Sequence, residues 1–289
     1  MRTRGCLLLC LVVLSGPAWA QEELGKKTKE KVAIQWARYE SKNYSIEYES
    51  LIPTGTVKQI AEELEDVLEQ YISVFKFKPA KKFRVKYLEN PTTFEQEGGD
   101  PSHPGFFNPR SGYLVIQQMP FYELIPTVYH EAFHQYLQAY LGDEATIPTW
   151  FNEGLAGYFE GMQRNEKSKK LDSKLIDNRR IKRLQEAIFT RSALPLDKLV
   201  DAAPAEFHDK EKEELHYSQS FAFAYFLMRA MGGKPVFQYA EELKKTKDVA
   251  LANAKIFGKD RKNMKTVEKT WKQYILGVKI EEKKPAGVK

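Results

Sequence analysis

Between Val57 and Phe75 the apolar residues Val57, Ile60, Leu64, Val67, Tyr71 and Phe75 recur at intervals of three and four. That spacing gathers them into one stripe and predicts an amphipathic helix. On either side the period changes to two. Tyr44, Ile46 and Tyr48 alternate with polar residues in "NYSIEYE", and Phe83, Val85 and Tyr87 alternate with Lys and Arg in "KFRVKYL". Both read as half-buried strands. "GYLVIQ", Gly112 to Gln117, is a short apolar run that reads as a third strand. The stretch from Glu89 to Ser111, "ENPTTFEQEGGDPSHPGFFNPRS", is rich in Gly and Pro and reads as a long loop.

Beyond Met119 the pattern turns helical. Phe121 to Leu141 reads as one helix, with Pro126 tolerated early and Gly142 placed to end it. A second begins near Thr149, which can cap it, and runs to about Met162. Further helical patterns cover Lys174–Phe189, Glu213–Met231, Pro235–Lys244 and Thr266–Leu276. Strands first and helices after is the order of an α+β protein. The expected division is a sheet lobe over 35–120 followed by a helical lobe over 121–278.

The two ends carry different information. Met1-Arg-Thr-Arg is basic, "CLLLCLVVL" is apolar, and Ala18-Trp19-Ala20 is an A-x-A site. Residues 1–20 therefore read as a signal peptide cleaved after Ala20, followed by a polar leader over 21–34. The apolar run falls short of the ~18 residues that span a bilayer. The expectation is an exported chain, periplasmic or extracellular, with no transmembrane segment once processed. Both cysteines, Cys6 and Cys10, leave with the signal. Their loss excludes cysteine nucleophiles, cysteine-ligated zinc and disulfides. The formal charge of +6 becomes +4 without Arg2 and Arg4. The remaining basic clusters, including a disordered tail over 279–289, are interleaved with acids and read as solvated surface rather than a nucleic-acid site.

Against this background "VYHEAFHQY" stands out, because it contains His130-Glu131-Ala-Phe-His134. A chance H-E-x-x-H in a chain of this length arises at roughly the one-per-cent level, so the surrounding residues decide its meaning. Two histidines four apart on a helix project from one face and can bind one metal ion through their imidazoles. Glu131, one step round, can act as a general base on a metal-activated water. A third donor is available at Glu153 in "PTWFNEGLAGYFEG", nineteen positions after His134 and on the next helix. A His, His, Glu set with an open position is a catalytic zinc arrangement, and it implies one Zn2+ per chain. Glu160 lies seven residues beyond Glu153 on the same helical face, where it can accept the second N–H of a liganding imidazole. Asn152 is a candidate for orienting the site. His103, His208 and His216 read as surface groups.

The spacing of the three donors, within W-x-N-E-G-x-A, resembles the gluzincin metallopeptidases. The aminopeptidase-N and leukotriene-hydrolase family typically carries W-L-N-E-G-F-A at this point, and this chain has Trp150-Phe151-Asn152-Glu153-Gly154-Leu155-Ala156. That family also places a tyrosine about sixty residues on, in a Y-x-K-G context. Tyr217, in "HYSQSFAFAYF", stands at the matching distance, with Gln219 and Ser220 in place of Lys-Gly. The resemblance runs from about His130 to Gly233. No G-x-M-E-N segment, which recognises a substrate's free amine in the aminopeptidases, precedes the zinc helix. The text is closer to the compact, secreted bacterial peptidase-MA-like proteins.

The resemblance implies a thermolysin- or gluzincin-like catalytic domain that hydrolyses peptide bonds of a peptide or protein substrate. It implies that Tyr217 stabilises the oxyanion and that "GYLVIQ" is the edge strand on which extended substrate pairs. A non-catalytic binding protein of the same fold is the alternative from another class, and Glu131 argues against it. A zinc hydrolase of a non-peptide bond is a second alternative.

Overall fold

The computed structural model describes residues 34–165, 167–168, 170–172, 177–259 and 262–280. The expected signal peptide at 1–20, nearly all of the expected leader at 21–34 and most of the expected tail at 279–289 lie outside the described residues. Gln35 onward forms one unit. Its architecture is mixed α+β, with a small N-terminal sheet and a larger helical part.

Five strands make the sheet: β1 (Trp36–Glu40), β2 (Tyr44–Glu49), β3 (Phe83–Leu88), β4 (Gly105–Asn108) and β5 (Tyr113–Gln117). Their spatial order is β1-β2-β3-β5-β4. The centre, β2 with β3 and β3 with β5, is parallel, and both edges are antiparallel. The parallel step from β2 to β3 is made by α1 (Thr54–Phe75), whose apolar stripe is buried from Val57 to Phe75.

Two sequence expectations change here. The segment from Glu89 to Ser111 is not all loop: it holds α2 (Pro91–Gln96), capped by the Asn90 side chain, and strand β4. "GYLVIQ" is not an edge strand, because β4 pairs along its outer side. Its composition gives the reason. Leu114 to Gln117 are all buried, and a continuous apolar run belongs to a strand covered on both faces. β1, with its alternating exposed and half-exposed residues, is a strand beyond those the sequence pattern predicts.

The helical part begins with α3 (Phe121–Leu141), which Pro120 precedes and which ends, as its sequence predicts, at Gly142, φ 89°. It lies between the sheet and the remaining helices. Gln135 Nε2 donates to the carbonyls of Arg84 and Gly112 at 2.9 Å each, tying α3 to β3 and the start of β5. On the other side, Tyr71 packs edge-on to Phe133 and Phe159, and its hydroxyl donates to the Tyr129 carbonyl at 2.6 Å. α4 (Thr149–Glu160) follows. Thr149 is its first residue and makes no capping bond; Pro148 precedes it.

A two-stranded ribbon, β6 (Gln163–Arg164) with β7 (Leu171–Asp172), leads to α5 (Asn178–Phe189). The predicted start of α5 at Lys174 lies outside the described residues. The observed start at Asn178 is capped by the Asp177 carboxylate. After α6 (Leu196–Asp201) and α7 (Pro204–Phe207), α8 (Glu213–Arg229) runs through the core, followed by α9 (Lys234–Thr246), α10 (Val249–Phe257) and α11 (Lys262–Gly277).

α4 and α8 pack closely because Gly154 has no side chain. A Cβ there would lie 2.4 Å from the Ser220 carbonyl oxygen of α8. Backbone cannot yield as a flexible side chain can, so this glycine sets the separation of the two helices.

Candidate metal centre

His130 and His134 sit one turn apart on α3, and their rings meet at 4.8 Å between centroids, nearly perpendicular. α4 returns across that face and presents Glu153 between them. His130 Nε2 lies 3.4 Å from Glu153 Oε2, and His134 Nε2 lies 3.6 Å from Glu153 Oε1. One donor atom from each residue falls within 4.8 Å of the others, so the three could hold a metal ion. Among the described residues this is the one such group of three or more His, Cys, Asp and Glu. The three side chains are between 12% and 16% exposed, so the group is partly accessible rather than sealed in the core.

The opposite nitrogen of each imidazole has its own partner. His134 Nδ1 lies 2.8 Å from Asn152 Oδ1, and the Asn152 amide nitrogen is turned to Glu153 Oε1 at 3.5 Å. His130 Nδ1 lies 3.2 Å from Glu160 Oε2. An amide oxygen and an ionised carboxylate only accept, so each ring donates from Nδ1. A neutral ring that donates from Nδ1 keeps the lone pair on Nε2, and both Nε2 atoms face Glu153.

Charge in the cluster is strongly coupled. Burial acts against an imidazolium at His130, but hydrogen bonds to Glu153 and Glu160 and the charge of Glu131 override it and hold the group well above the usual imidazole range. Burial would raise the Glu153 carboxyl, yet His134 and His130 hold it below the usual carboxylate range. Glu160 behaves likewise, with His130 and Arg180 outweighing burial. The carboxylates thus create a site that attracts positive charge, which a proton or a cation can satisfy.

Glu131 points from α3 towards the sheet edge. Its Oε2 accepts the backbone N–H of Phe107 on β4 at 2.9 Å, which holds the carboxylate and ties the edge strand to the His-Glu-x-x-His helix. No residue pattern signals this bond, because β4 is a four-residue strand inside a Gly- and Pro-rich stretch.

Tyr217 lies in the first turns of α8 and lines a cavity of about 380 Å³ with Arg180, Arg183 and Glu213. Burial pushes its hydroxyl up, and the charges of Glu153, Glu213 and Glu131 add to the effect. It is therefore a protonated donor at neutral pH. His208, read from sequence as a surface group, is half exposed but packs beside Tyr217, with ring centroids 6.2 Å apart. Its Nδ1 lies 2.9 Å from Glu213, and its charge bears on Glu153. His216 is buried rather than on the surface, with Nδ1 2.8 Å from the Phe207 carbonyl. His103 is exposed and hydrogen-bonds Ser102. Arg180, absent from the sequence reading, reaches Glu160 from α5.

A family model described as "Protein of unknown function (DUF1570)" matches residues 124–249. The matched stretch contains all three donors together with Glu131, Glu160, Arg180 and Tyr217. No curated protein matches the chain. Among the described residues, no helix is long and apolar enough to cross a membrane.

Proposed function

We propose that this chain is an exported, zinc-dependent metallopeptidase with a gluzincin-type catalytic domain. The observation that carries the reading is the convergence of two imidazole Nε2 atoms and the Glu153 carboxylate, each imidazole backed by its own acceptor. A tetrahedral ion bonded to each donor at ~2.0–2.1 Å keeps donors about 3.4 Å apart. The Nε2-to-carboxylate separations of 3.4 and 3.6 Å fit that requirement. Two nitrogens and one carboxylate oxygen suit zinc, and three protein donors leave a fourth position for chemistry. The order of elements supports the gluzincin reading too: a sheet, a His-Glu-x-x-His helix beside its edge strand, and a following helix that returns the third donor.

A zinc ion held by His130, His134 and Glu153 would supply Lewis acidity, bringing the pKa of water towards ~7 and polarising a carbonyl. The protein's own groups do the rest. Glu131, steadied by the Phe107 N–H, accepts the proton of the attacking water and delivers it to the departing amine. The Tyr217 hydroxyl, protonated at working pH, donates to the carbonyl oxygen as it gains negative charge. The outer edge of β4, last in the sheet, lies beside Glu131, and its backbone groups other than the Phe107 N–H can pair with an extended peptide, the role that the resemblance implies for β5. Asn152 and Glu160 hold the two rings in the tautomer that aims Nε2 inward.

The test is a peptide-library digest by the purified chain, read by mass spectrometry, beside the same digest with Glu131→Gln. Cleavage by the natural chain that stops with a chelator, returns with zinc and is lost in the variant supports the reading. Zinc bound at one per chain with no cleavage of peptides would replace it with a zinc-holding binding protein. Cleavage of ester substrates alone would make it a hydrolase of a non-peptide bond.

A further inference from the structure

Arg180 lies twenty positions beyond Glu160 and on a different helix, yet four features of the fold are fitted to its guanidinium. Nη1 is 3.2 Å from Glu160 Oε2, the same oxygen that accepts from His130 Nδ1. Nε is 3.4 Å from Asp177 Oδ2, while Asp177 Oδ1 caps α5 by accepting from the N–H groups of Arg179 and Arg180. One carboxylate thus starts the helix and aims the arginine that the helix carries. The group lies over the Phe221 ring of α8, with Cζ 5.6 Å from its centroid. A Cβ on Gly157 would lie 2.7 Å from Nη1, so the missing side chain on α4 is the notch through which the guanidinium reaches Glu160.

Glu160 needs such a partner. It ends α4, where the helix dipole disfavours a carboxylate. It also shares the site with Glu153 and Glu131. Asn152, which does the equivalent work for His134, is neutral and has no comparable charge to offset. A guanidinium is suited to this role, since its planar fork engages two carboxylates at fixed angles and can lie flat on an aromatic ring.

We infer that Arg180 is a positioning residue of the metal centre: acting through Glu160, it fixes the orientation of the His130 imidazole and sets the affinity of the site for its ion. Gly157 is glycine to admit it. This rests on the metal-centre reading, and the experiment separates the two.

Cobalt(II) is titrated into the metal-free full chain, recording dissociation constant and visible spectrum, for the natural protein, Arg180→Ala, Arg180→Lys, Gly157→Ala, Glu160→Ala and the double variants. Arg180→Ala is expected to weaken cobalt binding by about ten- to hundred-fold, the scale found for groups that orient metal ligands, and to change the ligand-field bands. Arg180→Lys keeps the charge but loses the fork, and recovers part of the affinity. Gly157→Ala weakens binding because its methyl meets Nη1, but adds nothing once Arg180 is alanine. Arg180→Ala likewise adds nothing in a Glu160→Ala background.

Arg180→Ala with unchanged affinity and spectrum, while the natural chain binds cobalt, would overturn the inference and leave the metal centre standing. So would losses that multiply in the doubles. A natural chain that binds neither cobalt nor zinc would bring down both. Arg180→Lys and Gly157→Ala keep the outcome decisive if Arg180→Ala does not fold.

Discussion

The two halves of the site are built differently. The His134 half is self-contained: its ring is held by Asn152, the residue next to Glu153, and the amide turns its nitrogen back to the same carboxylate. Everything it needs lies on α3 and α4. The His130 half reaches further. Its acceptor is a charged Glu160 at the far end of α4, and that carboxylate is in turn engaged by Arg180 from α5. A neutral acceptor can stand by itself in a partly buried place, whereas a charged one calls for a counter-charge. Two like imidazoles facing one carboxylate need not depend equally on the rest of the fold.

Substitutions probe that contrast in decreasing order of effect. Glu153→Ala removes the group common to both halves, and is expected to abolish stoichiometric zinc binding and with it all hydrolysis, by metal analysis and peptide assay. Glu131→Gln removes none of the three donors or their acceptors. It is expected to lower kcat by about 10²- to 10⁴-fold with zinc still bound; a variant that loses zinc as well would place Glu131 among the ligands. Tyr217→Phe removes one donor from the rim, with an expected loss of about 10²- to 10³-fold in kcat and an unchanged metal content.

The direct comparison between the halves comes next. Glu160→Ala and Asn152→Ala are each expected to weaken zinc binding within the range of about ten- to hundred-fold, with Glu160→Ala the larger. The His130 half loses its acceptor and strands Arg180, whereas the His134 half loses only a neutral contact. Equal losses in competition titrations would mean that the difference in construction has no energetic consequence.

The same contrast marks what was legible in the sequence. The end of α3 is legible because Gly142 punctuates it, and the pair His130 and His134 follows from one helical turn. Glu153 was readable because a short connection returns α4 across α3. Short-range spacing encodes all of this. Arg180 was not readable, because its contact with Glu160 depends on the ribbon between α4 and α5 and on the notch at Gly157, neither of which has a period. β4 escaped notice for a related reason: four residues, Gly105 to Asn108, are too few to show alternation, and its role comes from pairing with β5. His208 is on the surface, as its polar, turn-like context suggests, and its ring contacts with Phe207 and Tyr217 come from packing that local sequence does not encode.

The measurement that bears most directly on the central claim is the zinc content of the purified chain after exhaustive dialysis, by elemental mass spectrometry, beside Glu153→Ala. About one zinc per natural chain and none in the variant is the predicted result. No zinc in the natural chain even after reconstitution, or an equal amount in the variant, would contradict a centre built on His130, His134 and Glu153.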